Sequence, residues 1–149
     1  MPFCDTYANN ILGWAFGKNN LTASHSKVYI GLSTNNPEET NGSFNELSGG
    51  GYHRVLIGLY NETYPDVIGK PVNRKINNLK QINWTKATAD WATANGFGLF
   101  TAETGGTPYF YGKLKNPVSV ESGMVALFDP ESLEISFPAT DIEVEAVAE

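Results

Sequence analysis

His25 and His53 are the only imidazoles in the 149 residues, and Cys4 is the only thiol. Nucleophilic catalysis needs a nucleophile, a base, and a group that orients the base. His25 sits in the polar stretch "TASHSK", His53 stands beside Arg54 at the head of an apolar run, and Cys4 precedes the first helical segment. No G-x-S-x-G turn is present to expose a serine. Two histidines and one cysteine cannot build a Cys/His metal cluster within one chain, and no Ca²⁺-loop pattern occurs. The glycine-rich segments "SGGGYHR" and "TGGTP" lack the G-K-[ST] ending of a phosphate cradle and read as turns. The acids fall in loops and in the C-terminal tail, with no spacing that marks a catalytic carboxylate pair. The expectation is a chain with no catalytic residues, no metal and no cofactor, and no enzyme.

Binding is the more credible chemistry. "INWTKATADWATANGFGLFTAETGGTPYFYGKL", residues 82–114, gathers Trp84, Trp91, Phe97, Phe100, Tyr109, Phe110 and Tyr111. Trp84, Trp91, Phe100, Tyr109 and Tyr111 are candidates for a subunit interface or for a platform on which sugar rings stack. Core packing competes with both readings. Alternation along a strand sends Phe97 and Leu99 to one face and Phe100 to the other, and it opposes Tyr109 and Tyr111 to Phe110. Aromatics on both faces leave one for the core and one for another layer or another subunit.

Charge is distributed unevenly. The net charge of −6 argues against a nucleic-acid partner. Yet Lys70, Arg74, Lys75, Lys80 and Lys86 follow one another with no acid between them. After Lys115 there are no bases, and Glu121, Asp129, Glu131, Glu134, Asp141, Glu143, Glu145 and Glu149 follow. Two solvated faces are one reading. The other is complementary poles on neighbouring copies, with Lys70, Arg74, Lys75 and Lys80 meeting Glu143 and Glu145.

The elements that must position these residues are mostly strands. "CDTYANNILGWAFG" predicts a helix over 5–16, capped by Asp5 or Thr6 and ended by Gly17. Tyr7, Ile11, Trp14 and Ala15 share a face that the pattern marks for packing; the polar face carries no base before Lys18, which disfavours membrane attachment. Neither a signal peptide nor a membrane span is expected. "KVYIGLST", "YHRVLIGLY", "INNLKQINW", "VSVESGMVALF" and "LEISF" read as strands, and "NGFGLFTA" with "TPYFYGKL" as a hairpin around "ETGG". Residues 35–51 and 61–75 read as surface excursions. Residues 138–149 form an acidic tail in which Ile142, Val144 and Ala146 alternate with acids, either free or an arm for a neighbour's sheet edge. The whole predicts one mainly β domain over 1–137, a sandwich or small barrel of seven or eight short antiparallel strands with one N-terminal helix.

The order "FCDTYANNILGWAFG", "VYIGLSTNNP", "GGGYHRV", the aromatic run from Trp84 to Leu114, "VSVESGMVALF" and "LEISF" resembles a family of small bacteriophage virion proteins commonly labelled tail fibre proteins. The resemblance covers residues 3 to about 137. It implies a non-enzymatic virion component, made in the host bacterial cytoplasm and assembled in many copies. Its partners would be other copies of itself, other capsid or tail proteins, and host surface glycans, with no nucleic acid and no membrane. A compact domain without a repetitive stalk suits capsid decoration as well as a tail fibre.

Overall fold

The computed structural model describes residues 5–18, 27–59, 67–69 and 71–136. Among the described residues one helix, α1 (Asp5–Ala15), is followed by eight short strands, all paired antiparallel. Mainly β structure with one N-terminal helix is what the alternation predicts. Among the described residues no helix is long and apolar enough to cross a membrane.

α1 closes as its sequence dictates. Gly17 adopts φ +69°, the Lys18 amide donates to the Gly13 carbonyl (2.7 Å) and the Gly17 amide to that of Trp14 (3.0 Å). This paired termination needs a residue without Cβ in the left-handed region. Among the described residues α1 has no contact with a strand, and Leu12, Trp14 and Phe16 are all more than half exposed. Amphipathic spacing marks a face able to bury apolar surface; it does not say against what.

Four strands form the main sheet, in the order β2 (Val55–Leu59), β1 (Lys27–Ser33), β5 (Ala94–Phe100) and β6 (Phe110–Val118). β5 and β6 are the two arms of the expected hairpin. β3 (Lys75–Asn77) pairs with β8 (Glu134–Ser136), and β4 (Ile82–Asn83) with β7 (Leu127–Phe128). The run 76–84, read as one strand, is therefore split into β3 and β4. "VSVESGMVALF" is divided likewise, its first residue ending β6 and its last two forming β7.

The sheet separates two unlike layers. On one face Ile30, Leu32, Phe97 and Leu99 pack into a core with Ile57, Ile82, Trp84, Trp91 and Leu133. On the other, Gly31 faces Gly98 across the β1–β5 pair, and Gly96 faces Ser33. Bare backbone there lets the long loop after β1 lie flat on the sheet. A Cβ at Gly98 would stand 2.9 Å from both Phe44 and Pro108, and one at Gly31 3.0 Å from the Glu46 carboxylate. The "GFGLF" pattern thus has a physical reading: large side chains fill one face while the glycines admit a loop on the other.

That loop, residues 34–54, takes the place of a second sheet. Its backbone joins β1 through Leu47 N–H to the Leu32 carbonyl (3.0 Å) and Thr34 N–H to that of Asn45 (2.9 Å). Asn35 braces it from inside, donating to the Ser43 carbonyl (2.7 Å) and Thr40 Oγ1 (3.0 Å) and accepting from the Asn45 amide (3.0 Å). Asparagine is suited to such turns because its side chain can satisfy nearby main-chain groups.

Candidate functional site

A buried polar cluster lies on the glycine face, centred on Arg54. Its guanidinium is buried, with only 5% of the residue exposed, so it must be both paired and hydrogen-bonded to be tolerated. Nε and Nη2 donate to the two oxygens of Glu46, each at 2.8 Å, in a bidentate fork. Nη1 donates to the carbonyls of Ala102 and Gly105, again at 2.8 Å. The plane lies over Phe100, 3.4 Å from Cζ to the ring centroid, and Phe44 meets the same ring edge-on at 5.2 Å. Tyr52 completes the cluster: its hydroxyl donates to Glu46 Oε1 (2.9 Å) and accepts from the Leu32 amide (2.8 Å). Burial, with the Glu46 charge adding to it, pushes the Tyr52 hydroxyl pKa well above the usual tyrosine range, so this group stays protonated.

The arrangement works as a clasp. One cation ties the loop after β1, through Glu46, to the turn between β5 and β6, through Ala102 and Gly105. Residues 101–107 of that turn are all exposed, yet two of their carbonyls are held from beneath. Arg54 opens the run "RVLIGL", where sequence reading sees only a strand boundary. The signal missed was a lone arginine between an aromatic pair of residues and an apolar strand, with Glu38, Glu39 and Glu46 in the preceding loop.

The other candidates are placed as follows. Trp84, Trp91, Phe100 and Tyr111 are buried within the chain, at 2%, 6%, 2% and 4% exposure, and Tyr109 is half-buried. Trp91 donates Nε1 to the Gly50 carbonyl (2.8 Å) and meets Tyr52 edge-on at 5.5 Å. Trp84 packs edge-on against Phe128 at 5.2 Å, its Nε1 without an acceptor. These faces are turned inward, so a sugar platform has no tryptophan surface to use at 84 or 91.

His53 holds the arrangement nearest to a catalytic dyad. Its Nδ1 lies 2.8 Å from the Arg54 carbonyl and Nε2 3.1 Å from Thr85 Oγ1. A proton on Nδ1 would be donated to that carbonyl, leaving Nε2 to accept from the threonine. The orienting group is a main-chain carbonyl instead of a carboxylate, and Thr85 Oγ1 also lies within reach of the Gly51 carbonyl (3.3 Å). The contacts staple the loop at 51–54 to the segment at 85. His25 and Cys4 lie outside the described residues. Among the described residues no group of three His, Cys, Asp or Glu is gathered for a metal ion.

Of the basic candidates, Lys75 is paired within its own chain, 3.2 Å from Glu134 across the β3–β8 ribbon. Arg74 is exposed in a two-residue turn where Asn73 and Arg74 have φ of 52° and 62° and Val72 exchanges two backbone bonds with Lys75. This is the primed turn that suits strand twist. It lies inside the stretch read only as an excursion. Lys80 is exposed; Lys70, Glu143 and Glu145 lie outside the described residues, as does the tail.

Asn78 lies in the run 76–84 that the sequence marks as a strand. Fully buried, it donates Nδ2 to the carbonyls of Lys80 (2.8 Å) and Asp129 (2.9 Å) and accepts the Leu133 amide at Oδ1 (2.9 Å). One amide therefore joins the turn between β3 and β4 to the segment between β7 and β8.

A buried core, a loop layer locked by an inward-facing arginine and an exposed, held turn describe a structural β domain. The family model of the podophage GP4 fiber I protein gp80 matches residues 2–136, and the chain belongs to that family. It is accordingly a phage fibre structural protein and a component of the virion. Comparison with curated proteins gave no match.

Proposed function

We propose that the protein is a non-enzymatic fibre component, displayed on the outside of the particle in several copies, with other copies and other tail proteins as its partners. Family membership over residues 2–136 carries this reading and favours a tail fibre over a capsid-decorating role. Leu12 and Trp14, both exposed on α1, offer the domain places to join other virion proteins. The exposed turn at 101–107, held by Arg54, offers host surface glycans a preformed contact.

Immunogold labelling of purified particles tests the location. Gold on the tail fibres is expected, and gold confined to the head would overturn the assignment. Native mass spectrometry of the purified protein should show a homo-oligomer. For host contact, added protein should compete with phage adsorption, and variants in Thr101, Glu103 and Thr104 should compete less well.

A further inference from the structure

The outer side of β6 borders a groove of about 430 Å³. β6 is an edge strand, with β5 as its one neighbour among the described strands. The pairing steps from Gly96↔Lys113 to Ala94↔Val118, so the residues from Leu114 to Pro117 bulge away from β5. Lys113 and Lys115 are both exposed on this stretch, while Leu114 between them is buried. The opposite wall brings Leu127, Phe128 and Leu133, and Leu127 is 43% exposed. The groove thus has an apolar floor and two cations two residues apart along one lip. Glu38, Asp129 and Glu134 also line it, and Glu134 is matched by Lys75.

The chain itself contains a segment of complementary pattern. After β8, whose Glu134 lines this groove, residues 138–149 contain "DIEVEA", with acids at 141, 143 and 145 and Ile142, Val144 and Ala146 between them. In extended form, acids and apolar residues fall on opposite faces at the same two-residue spacing as Lys113, Leu114 and Lys115. Twelve extended residues span roughly 40 Å, ample to return to a groove that begins beside their own point of departure.

We infer that residues 141–146 of the C-terminal segment dock into this groove of their own molecule. Ile142 and Val144 cover Leu114, Leu127 and Phe128, while Glu143 and Glu145 face Lys113 and Lys115. The tether favours the molecule's own groove over a neighbour's by keeping the local concentration of the segment high. The acidic tail's partners are then Lys113 and Lys115, in place of the basic run at 70–80.

Cysteine pairing tests this in the full chain, with Cys4→Ser removing the native thiol. Lys115→Cys with Glu143→Cys should oxidise to an intrachain disulfide at least about tenfold faster than Glu103→Cys with Glu143→Cys. Equal rates, or disulfides joining two chains only, would overturn the proposal. Hydrogen exchange supplies a second measurement that leaves the domain untouched. Ile142→Lys with Val144→Lys should lower protection of the Leu114 to Asn116 amides about tenfold, with Leu32 and Leu99 unchanged. Unaltered protection at Leu114 to Asn116 would sink it.

Discussion

The Arg54 guanidinium and the Phe100 ring lie face to face, 3.4 Å apart, under a turn that neither residue belongs to. The relationship is stabilising only while the cation is fully matched. Arg54→Met leaves Glu46 and the carbonyls of Ala102 and Gly105 without their donor, and a loss of about 3–5 kcal/mol is expected in urea unfolding. Replacing both Arg54 and Glu46 by apolar residues should cost less than the sum of the single changes, because no stranded charge remains. Additive losses would show that the pair is not coupled.

Asn78→Asp keeps the shape of the side chain and removes both donors. The carbonyls of Lys80 and Asp129 lose their partner and a carboxylate is placed in the interior. Destabilisation of about 3 kcal/mol or more is expected. Hydrogen exchange should show the loss spreading first through the β3–β8 and β4–β7 ribbons.

Gly98→Ala places a methyl 2.9 Å from Phe44 and Pro108. The loop layer must lift to admit it, at a cost of about 1–3 kcal/mol in equilibrium unfolding. Glu103→Ala, on the exposed turn, serves as the comparison and should stay within about 0.5 kcal/mol of the parent.

Tyr52 makes stability fall in alkali. Its folded pKa is raised by burial, whereas the unfolded tyrosine titrates near its ordinary value of about 10. Below that value both states hold the proton and the full contribution is present. Above it the unfolded chain loses the proton first, so stability declines as pH rises. Unfolding midpoints measured between about pH 9 and 11 should fall for the parent and flatten for Tyr52→Phe.

Trp14 reports on α1 separately from the sheet. As the exposed one of three tryptophans, it should account for most of the iodide quenching in isolated protein. Trp14→Ala should change the unfolding free energy by no more than about 0.5 kcal/mol. A larger loss would mean that the helix supports the domain.

Legibility in the sequence follows the range of each interaction. The α1 termination at Gly17 and the β5–β6 hairpin are decided within a few residues, and both are visible as local patterns. Alternation likewise separates Phe97 and Leu99 from Phe100. The partners of Arg54 lie 8 residues away at Glu46 and 48 and 51 away at Ala102 and Gly105, and no local spacing points to them. The partners of Asn78 at Asp129 and Leu133 are likewise remote. The Asn73–Arg74 turn hides because arginine is an unusual residue for positive φ. At α1 the spacing marks an apolar face, while among the described residues no strand covers Leu12, Trp14 or Phe16.

The position of β1 has a mechanical consequence. Among the described residues it is the first strand after α1, and it lies between β2 and β5 with antiparallel pairing on both sides. Tension pulled through α1 enters the sheet at Lys27, along the axis of a strand flanked on both edges. The hydrogen bonds of an antiparallel ladder run across that axis, so they are loaded together in shear and cannot open one by one. A domain strung this way resists extension best when pulled from its helical end.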